Sequence, residues 1–330
     1  SKHHGNLEDI DNLLYLSNIR IETTKKQFEN ILWDSIRILD LPQYSWNEIK
    51  EYAKDLWILK QDLKKNIHNF ILFKYFYSLL LYSDKNEAAF SKALLNCETI
   101  ANTESFVDKY KKIMFTHSIN TTTENKIDSL REYIYIKAAQ RVKEFSELPN
   151  ILLLNVPTGL GKTLTGFNIA LNIINSNPEY RRIIYAAPFI SIIDQTQQVV
   201  CNILDANNIN CVQHFLAHHH LVEPSIWYDE NNFTGNEGQF LIENWDKTII
   251  VTTFWQLFYT IFGNDNKLNR KFHNLIDSII ILDEIQSVPY KFWYAIKETL
   301  KLLSECFHCK IIYMTATLPF IFSYEELKVN

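Results

Sequence analysis

Glycine is scarce, with seven residues in a chain of 330. None lies between Asn6 and Pro157. Few positions are therefore free to take a left-handed backbone. This excludes a glycine-rich linker or fibrous array over the first half and suits packed helices joined by short polar turns. Net positive charge is also missing. With 33 basic against 38 acidic residues the formal charge is −5, so there is no global pull towards nucleic acid. A narrow strand-binding groove, which works through local charge and backbone contacts, remains compatible with that balance. Long apolar runs are lacking: the longest, near Phe70 to Tyr82, is broken by Lys74 and is too short to span a bilayer, so no membrane partner is expected. The chain opens Ser1-Lys2-His3-His4-Gly5, without the charged region and apolar core of a secretory leader. The five cysteines are odd in number and scattered, which leads us to expect free thiols and a cytoplasmic location. No initiating Met is present and motifs press against both ends, so a piece of a longer chain is expected.

What is present divides in two. At 330 residues, two domains are expected, and an apolar fraction of 47% supplies a core for each. Up to about residue 115, apolar residues recur at three- and four-residue spacing, as in Ile31 to Leu39, Leu56 to Leu63 and Ile67 to Leu81. Residues His117 to Asn125 are polar and aperiodic, and the domain boundary is placed there, giving an all-α part over 1–120 and an α/β part over 121–330. Beyond it, strands at Ile151–Asn155, Arg182–Ala187, Thr248–Thr252, Ser278–Leu282 and Lys310–Met314 alternate with helices at Ser129–Phe145, Thr163–Asn175, Ser191–Leu204, Phe254–Phe262 and Lys291–Leu303. Such alternation predicts a parallel sheet with helices on both faces. Ligands of such sheets sit at the carboxyl ends of the strands. The polar stretch Val222 to Gly238 reads as a surface loop.

The motifs fall at those carboxyl ends. After the strand at Ile151 comes Val156-Pro157-Thr158-Gly159-Leu160-Gly161-Lys162-Thr163, then a helix. Strand, glycine loop, Gly-Lys-Thr and helix form the context of a phosphate-binding loop. Gly159 and Gly161 let backbone N–H groups close around phosphates, and the helix N-terminus adds the positive end of its dipole. Thr158 belongs to the same cradle. Lys162 would reach the β- and γ-phosphates of ATP, and Thr163 would hold Mg²⁺. The usual first Gly or Ala is Val156 here. The second motif is Ile279 to Leu282 followed by Asp283-Glu284-Ile285-Gln286. An apolar strand ending in two carboxylates suits a metal-holding Asp283 and a water-activating Glu284. Gln286 joins the nucleotide-binding set. The third is Met314-Thr315-Ala316-Thr317-Leu318-Pro319, whose hydroxyls can hydrogen-bond the acid pair.

Together with Ala187-Pro188-Phe189-Ile190-Ser191-Ile192-Ile193-Asp194-Gln195 and Val251-Thr252-Thr253-Phe254-Trp255-Gln256, these motifs resemble superfamily 2 helicases. In detail they are similar to the CRISPR-associated helicase–nuclease of type I systems, which joins an HD-type nuclease domain to two RecA-like domains. The resemblance implies a first RecA-like P-loop domain over 121–330, preceded by the C-terminal part of an HD nuclease domain over 1–120. It implies that Pro188 to Gln195 and Thr252-Thr253 line the path of single-stranded DNA. It implies that Arg131 contacts the adenine. It also implies a divalent transition metal held by His3, His4 and Asp84, with further ligands expected ahead of His3. The RNA-guided CRISPR surveillance complex is the implied partner. With neither the preceding ligands nor the second RecA-like domain in the sequence, binding of ATP with slow turnover and little nuclease activity is expected.

Two other readings stand beside it: a DExH-type RNA helicase with an unrelated helical domain, and a nucleotide-gated interaction module without turnover. Three further features read as structure. Cys306-Phe307-His308-Cys309 has no second cysteine pair and reads as packed free thiols. His214 and His218-His219-His220 read as a polar loop or a phosphate-adjacent surface rather than a metal site. The stripe Phe70, Phe73, Phe76 and Tyr77 reads as core.

Overall fold

The structure, a computed structural model, describes residues 67–90, 100–116, 126–144, 148–219 and 243–317. His3, His4, the boundary segment 117–125, the loop at 222–238, His220 and Leu318-Pro319 lie outside the described residues. Two compact units divide the chain: residues 1–74 with 264–266, and residues 75–263 with 267–330.

The second unit is built on six parallel strands, β1 (Ile151–Asn155), β2 (Arg182–Ala187), β3 (Phe215–His218), β4 (Ile249–Thr253), β5 (Ser278–Asp283) and β6 (Lys310–Thr315), in the order β1-β6-β5-β2-β4-β3. Strands β2, β4, β5 and β6 are buried along their whole length, while β1 is only partly so. Their near-continuous Ile, Val and Leu content is what a sheet covered on both faces requires. Among the described residues β1 and β3 form the edges. The expected α/β class with helices on both faces holds, and each expected strand lies within one residue of its place. Strand β3 was not expected. It follows the short helix Cys211–His214, so His214 and His218 belong to regular elements and not to a polar loop.

The helices used below are α1 (Ile67–Phe90), α2 (Phe106–Thr116), α3 (Lys126–Glu144), α4 (Lys162–Ser176), α5 (Ile190–Asp205), α6 (Cys211–His214), α7 (Phe254–Phe262) and α8 (Trp293–Cys306), with a further single turn at Asn266–Asn269. No helix among the described residues is long and apolar enough to cross a membrane. Helix α4 carries Phe167, Ala170, Leu171 and Ile173 into the core, and α2 and α3 contribute Val107 and Tyr135 to the same cluster. Thr103, just before α2, donates to Leu171 O at 2.6 Å, tying this region to the middle of α4. On α1, Ser78 donates to Arg270 O at 3.0 Å.

Two expectations are corrected. None of the four stripe residues is core: Phe70, Phe73 and Phe76 are exposed and Tyr77 is half-buried, because the stripe at helical spacing is wider than the strip α1 buries. The expectation of free thiols fails at Cys201 and Cys211, which form a disulfide with Cα atoms 5.3 Å apart. The end of α5 and the start of α6 bring these two together. Of the pair near the C-terminus, Cys309 is a buried free thiol and Cys306 is free but exposed rather than packed.

Gly166 shows how closely α4 lies on β6. A Cβ at this position would run into Sδ of Met314, whose side chain is fully buried. A helical glycine costs about 1 kcal/mol against alanine, and here the close approach explains it. We predict that Gly166→Val lowers unfolding free energy by about 1–3 kcal/mol, measured by urea denaturation, and that adding Met314→Ala recovers part of the loss.

Candidate nucleotide site

The loop between β1 and α4 turns where the two glycines allow it. Gly159 and Gly161 both have φ of 81°, a conformation that a residue with a Cβ adopts at a cost. A Cβ at Gly159 would meet nothing within 4 Å, so this side of the loop opens onto free space. Gly161 stands at the N-cap of α4, whose first turn has neither a side-chain cap nor a carboxylate. Its leading N–H groups are left to an external acceptor. Thr158 is exposed on the loop. Arg131, on α3, donates from Nε to Gly159 O at 3.0 Å and from Nη1 to Asp128 Oδ1 at 2.9 Å. The structure thus places Arg131 against the outside of the loop.

Lys162 is the first residue of α4, and its ammonium is bonded to Glu284 Oε1. Glu284 follows the end of β5 with φ of 54°, the left-handed region that costs a non-glycine residue about 1–3 kcal/mol. Its backbone N–H is fixed to Met314 O at 2.8 Å. The other carboxylate oxygen, Oε2, accepts from Gln286 Nε2, and Gln286 Oε1 accepts from Thr315 Oγ1 at 2.7 Å. The Thr315 hydroxyl, expected to hydrogen-bond the acid pair, bonds Gln286 instead and is linked to Glu284 only through it. Burial raises the Glu284 carboxyl, but the bonds from Lys162 and Gln286, with the Ala316 N–H, outweigh it and hold it below the ordinary glutamate value.

Asp283 behaves in the opposite way. Its Oδ2 accepts from the Tyr185 hydroxyl. Its Oδ1 is buried and has no partner. Burial raises the carboxyl above the ordinary aspartate value, although Tyr185 and Lys162 pull it down, and the adjacent Glu284 charge adds to the rise. An unpaired buried carboxylate oxygen is costly; it is also what a hard cation takes as a ligand. Tyr185 was not anticipated. It stands in the middle of β2 with a phenol held neutral by burial, and its hydroxyl also interacts with Thr196 and Thr163. A tyrosine in an apolar strand reads as a β-former, so its spacing carries no signal of this role. A cavity of about 460 Å³ lies elsewhere, lined by Asn102, Asp108, Tyr135, Asn168 and Asn172, and includes none of these groups. Asp84 lies on α1, half-buried. Among the described residues no three of His, Cys, Asp and Glu gather as a metal-binding group.

Loop, lysine and acid pair thus share one crook. Residues 127–320 match the family model described as Type III restriction enzyme, res subunit. The chain belongs to this family. It is 33% identical over 213 residues to the CRISPR-associated nuclease/helicase Cas3 of Haloferax volcanii, a match covering 59% of this chain and 22% of that protein. The chain therefore spans about a fifth of the length of this curated relative. Among solved structures it is similar to T. fusca Cas3 with AMPPNP, at 16% identity and TM-score 0.48 over 76% of this chain and 26% of that one. It is also similar to T. fusca Cas3 with ATP, at 15% and 0.45 over 73% and 25%, and to the DUF1998 helicase MrfA, at 17% and 0.39 over 64% and 29%. The relative carries the name to which the motif wording pointed. The parallel sheet fits a RecA-like helicase domain.

The acid pair makes a prediction about pH. The folded pKa of Asp283 lies above its unfolded value, so ionising it costs stability as pH rises through the interval between the two. Asp283→Asn should raise the melting temperature of the nucleotide-free chain at pH 7. The gain should fade as pH falls below the unfolded aspartate value of about 3.9, which a set of thermal melts across pH would show.

Proposed function

We propose that this chain is the ATP-binding motor domain of a CRISPR-associated helicase. The observation that supports it most is the meeting of Lys162 with Glu284, beside an Asp283 oxygen that is buried and unpaired. Phosphate carries negative charge, and the crook offers what phosphate needs: uncapped N–H groups at α4, two left-handed glycines and an ammonium. In this reading Thr158, Gly159, Gly161, Lys162 and Thr163 hold the nucleotide. The donor set also fits Mg²⁺: the Thr163 hydroxyl interacts with Tyr185, whose own hydroxyl donates to Asp283, and Asp283 Oδ1 is a spare hard ligand. Bound Mg²⁺ would screen the phosphate charge that the loop alone only partly meets.

Lys162 turns from Glu284 to phosphate oxygens when the nucleotide enters. Glu284, anionic at neutral pH, is then free at Oε1 to accept the proton of a water whose oxygen attacks the terminal phosphorus, while the bond from that phosphorus to the β–γ bridging oxygen breaks and ADP leaves with that electron pair. Gln286 keeps hold of Oε2 and fixes the carboxylate's orientation, with Thr315 behind it. Because Thr315 ends β6 and Gln286 follows β5, the same bonds carry the state of the site to the neighbouring loops. Arg131 borders the loop where a base would emerge, and it serves as the adenine contact.

Under the same reading the motor moves along single-stranded DNA and feeds an HD nuclease that His3, His4 and Asp84 help to build around a transition metal. The RNA-guided surveillance complex recruits it. The name of the Haloferax volcanii relative, a nuclease/helicase associated with CRISPR, supports this assignment.

Lys162→Ala is expected to abolish binding of a fluorescent ATP analogue while the fold survives, because Glu284 keeps its Gln286 bond. Glu284→Gln should retain binding and lower phosphate release by about 10²-fold or more. Equal affinity of Lys162→Ala and the unaltered chain for the analogue would contradict the assignment.

A further inference from the structure

The cavity of about 460 Å³ that lies outside the nucleotide crook has three walls. Asn168 and Asn172 stand one turn apart on α4. Tyr135, Ala139 and Lys143 follow one another at one-turn intervals on α3. Glu104, in the 3₁₀ turn Thr103–Ser105, and Asp108 on α2 form the third wall. Two bonds fasten the second wall to the third. Tyr135 donates to Asp108 Oδ1 at 2.7 Å, and Lys143 Nζ donates to Glu104 Oε1 at 2.6 Å. Ala139 comes between these two on α3, and its small side chain leaves the space open.

The lining is polar, and its hydrogen-bonding capacity is only partly used. Asn168 and Asn172 are 3% and 8% exposed. Asn172 Nδ2 donates to Asn168 O at 2.7 Å and to Asn168 Oδ1 at 3.1 Å. Both N–H groups of Asn172 are thereby spent, which leaves its Oδ1 as an acceptor and Asn168 Nδ2 as a donor. The Tyr135 phenol is kept protonated by burial and then by Asp108. Its hydrogen is committed to Asp108 Oδ1, so Asp108 Oδ2 is a further acceptor. Two carboxylates line the cavity against one ammonium, so the lining has one negative charge in excess. Lys111 also lies over the Tyr135 ring, at 3.8 Å, but its charge is met by Glu132.

These groups select among ligands. An apolar molecule would leave buried amide groups without partners, which is costly. An anion would meet the excess carboxylate. A single ammonium balances that charge and forms the stronger, charge-assisted kind of hydrogen bond. Hydroxyl groups both donate and accept, which suits an amide pair offering one group of each kind. The volume falls within the range of small-molecule sites.

We propose that this cavity binds a small monocationic amino alcohol of amino-sugar size, with its ammonium on Asp108 Oδ2 and its hydroxyls on Asn168 Nδ2 and Asn172 Oδ1. The site stands apart from the motor reading and does not depend on it. The two places nonetheless share elements. Helix α4 begins with Lys162, and Tyr135 lies one turn along α3 from Arg131, which bonds Gly159 O. An occupant of the cavity rests on the same two helices that border the phosphate loop.

The test titrates glucosamine and glucose, which differ by an ammonium in place of one hydroxyl, into the full chain by ligand-observed NMR. The buffer keeps the amine protonated. Asp108→Asn removes the charge while retaining an acceptor for Tyr135, and Ala139→Leu fills the space while leaving the charge unaltered. The unaltered chain should bind glucosamine about tenfold or more tightly than glucose. Asp108→Asn should lose about tenfold on glucosamine and little on glucose. Ala139→Leu should lose both sugars, and saturating ATP analogue should displace neither. Circular dichroism melts report whether each variant folds; if Ala139→Leu does not, Asp108→Asn decides alone. Equal affinity of the unaltered chain for the two sugars, or no saturable binding of glucosamine, would overturn the proposal. So would an Asp108→Asn chain that binds glucosamine as tightly as the unaltered one. Displacement of glucosamine by the ATP analogue would place the sugar in the nucleotide crook and overturn it as well.

Discussion

The ion pair between Lys162 and Glu284 joins two motifs 122 positions apart in the chain. Neither motif makes a site by itself. A glycine loop without the acid pair is a strand-to-helix turn, and two acids at a strand end are a common surface feature. What brings them together is the sheet, in which β1, β6 and β5 lie side by side and all point the same way. A largely buried ion pair is poor evidence for stability, since desolvation can cancel the attraction. Its value here is positional. It holds an ammonium and a carboxylate where a phosphate and a water would replace each partner for the other. The left-handed backbone at Glu284 and the unpaired Asp283 oxygen are costs of the same kind, paid at one place.

Sheet order also separates two regions. The glycine loop and the acid pair are gathered at β1, β6 and β5, and the exposed Phe189 and Trp255 follow β2 and β4. Strand β2 belongs to both halves. Its Tyr185 touches Asp283, and its end leads to Phe189. A change at Asp283 therefore has a short route to the far half of the edge, through one hydrogen bond and the end of β2. The Gln286–Thr315 bond provides a second link, between the loops after β5 and β6.

Much of this was legible in the residues because parallel strands buried on both faces announce themselves as unbroken apolar runs. Ile279 to Leu282 and Ile311-Ile312 could hardly be elsewhere, and Gly159 and Gly161 stood out in a chain so poor in glycine. Strand β3 was missed because Phe215 to His218 is short and runs into a histidine triplet that reads as polar surface. Tyr185 was missed because its role depends on a neighbour 98 positions away that only the register supplies. The Cys201–Cys211 bond was missed because spacing alone does not reveal which cysteines a helix end and a short turn bring together. Gln286 stands out in its motif, but its action as a bridge between Thr315 and Glu284 depends on the pairing of β5 with β6. Local pattern fixes elements well; it says less about side chains whose partners come from other strands.

The central claim is that Lys162 and Glu284 hold the place of a triphosphate. A crystal structure of the chain with Mg²⁺ and a non-hydrolysable ATP analogue tests it most directly. The account predicts the β- and γ-phosphates over the loop from Thr158 to Thr163, with Lys162 Nζ on their oxygens, its bond to Glu284 broken, and the metal against Asp283. An analogue bound elsewhere, with the Lys162–Glu284 pair intact and Asp283 Oδ1 still without a partner, would contradict it.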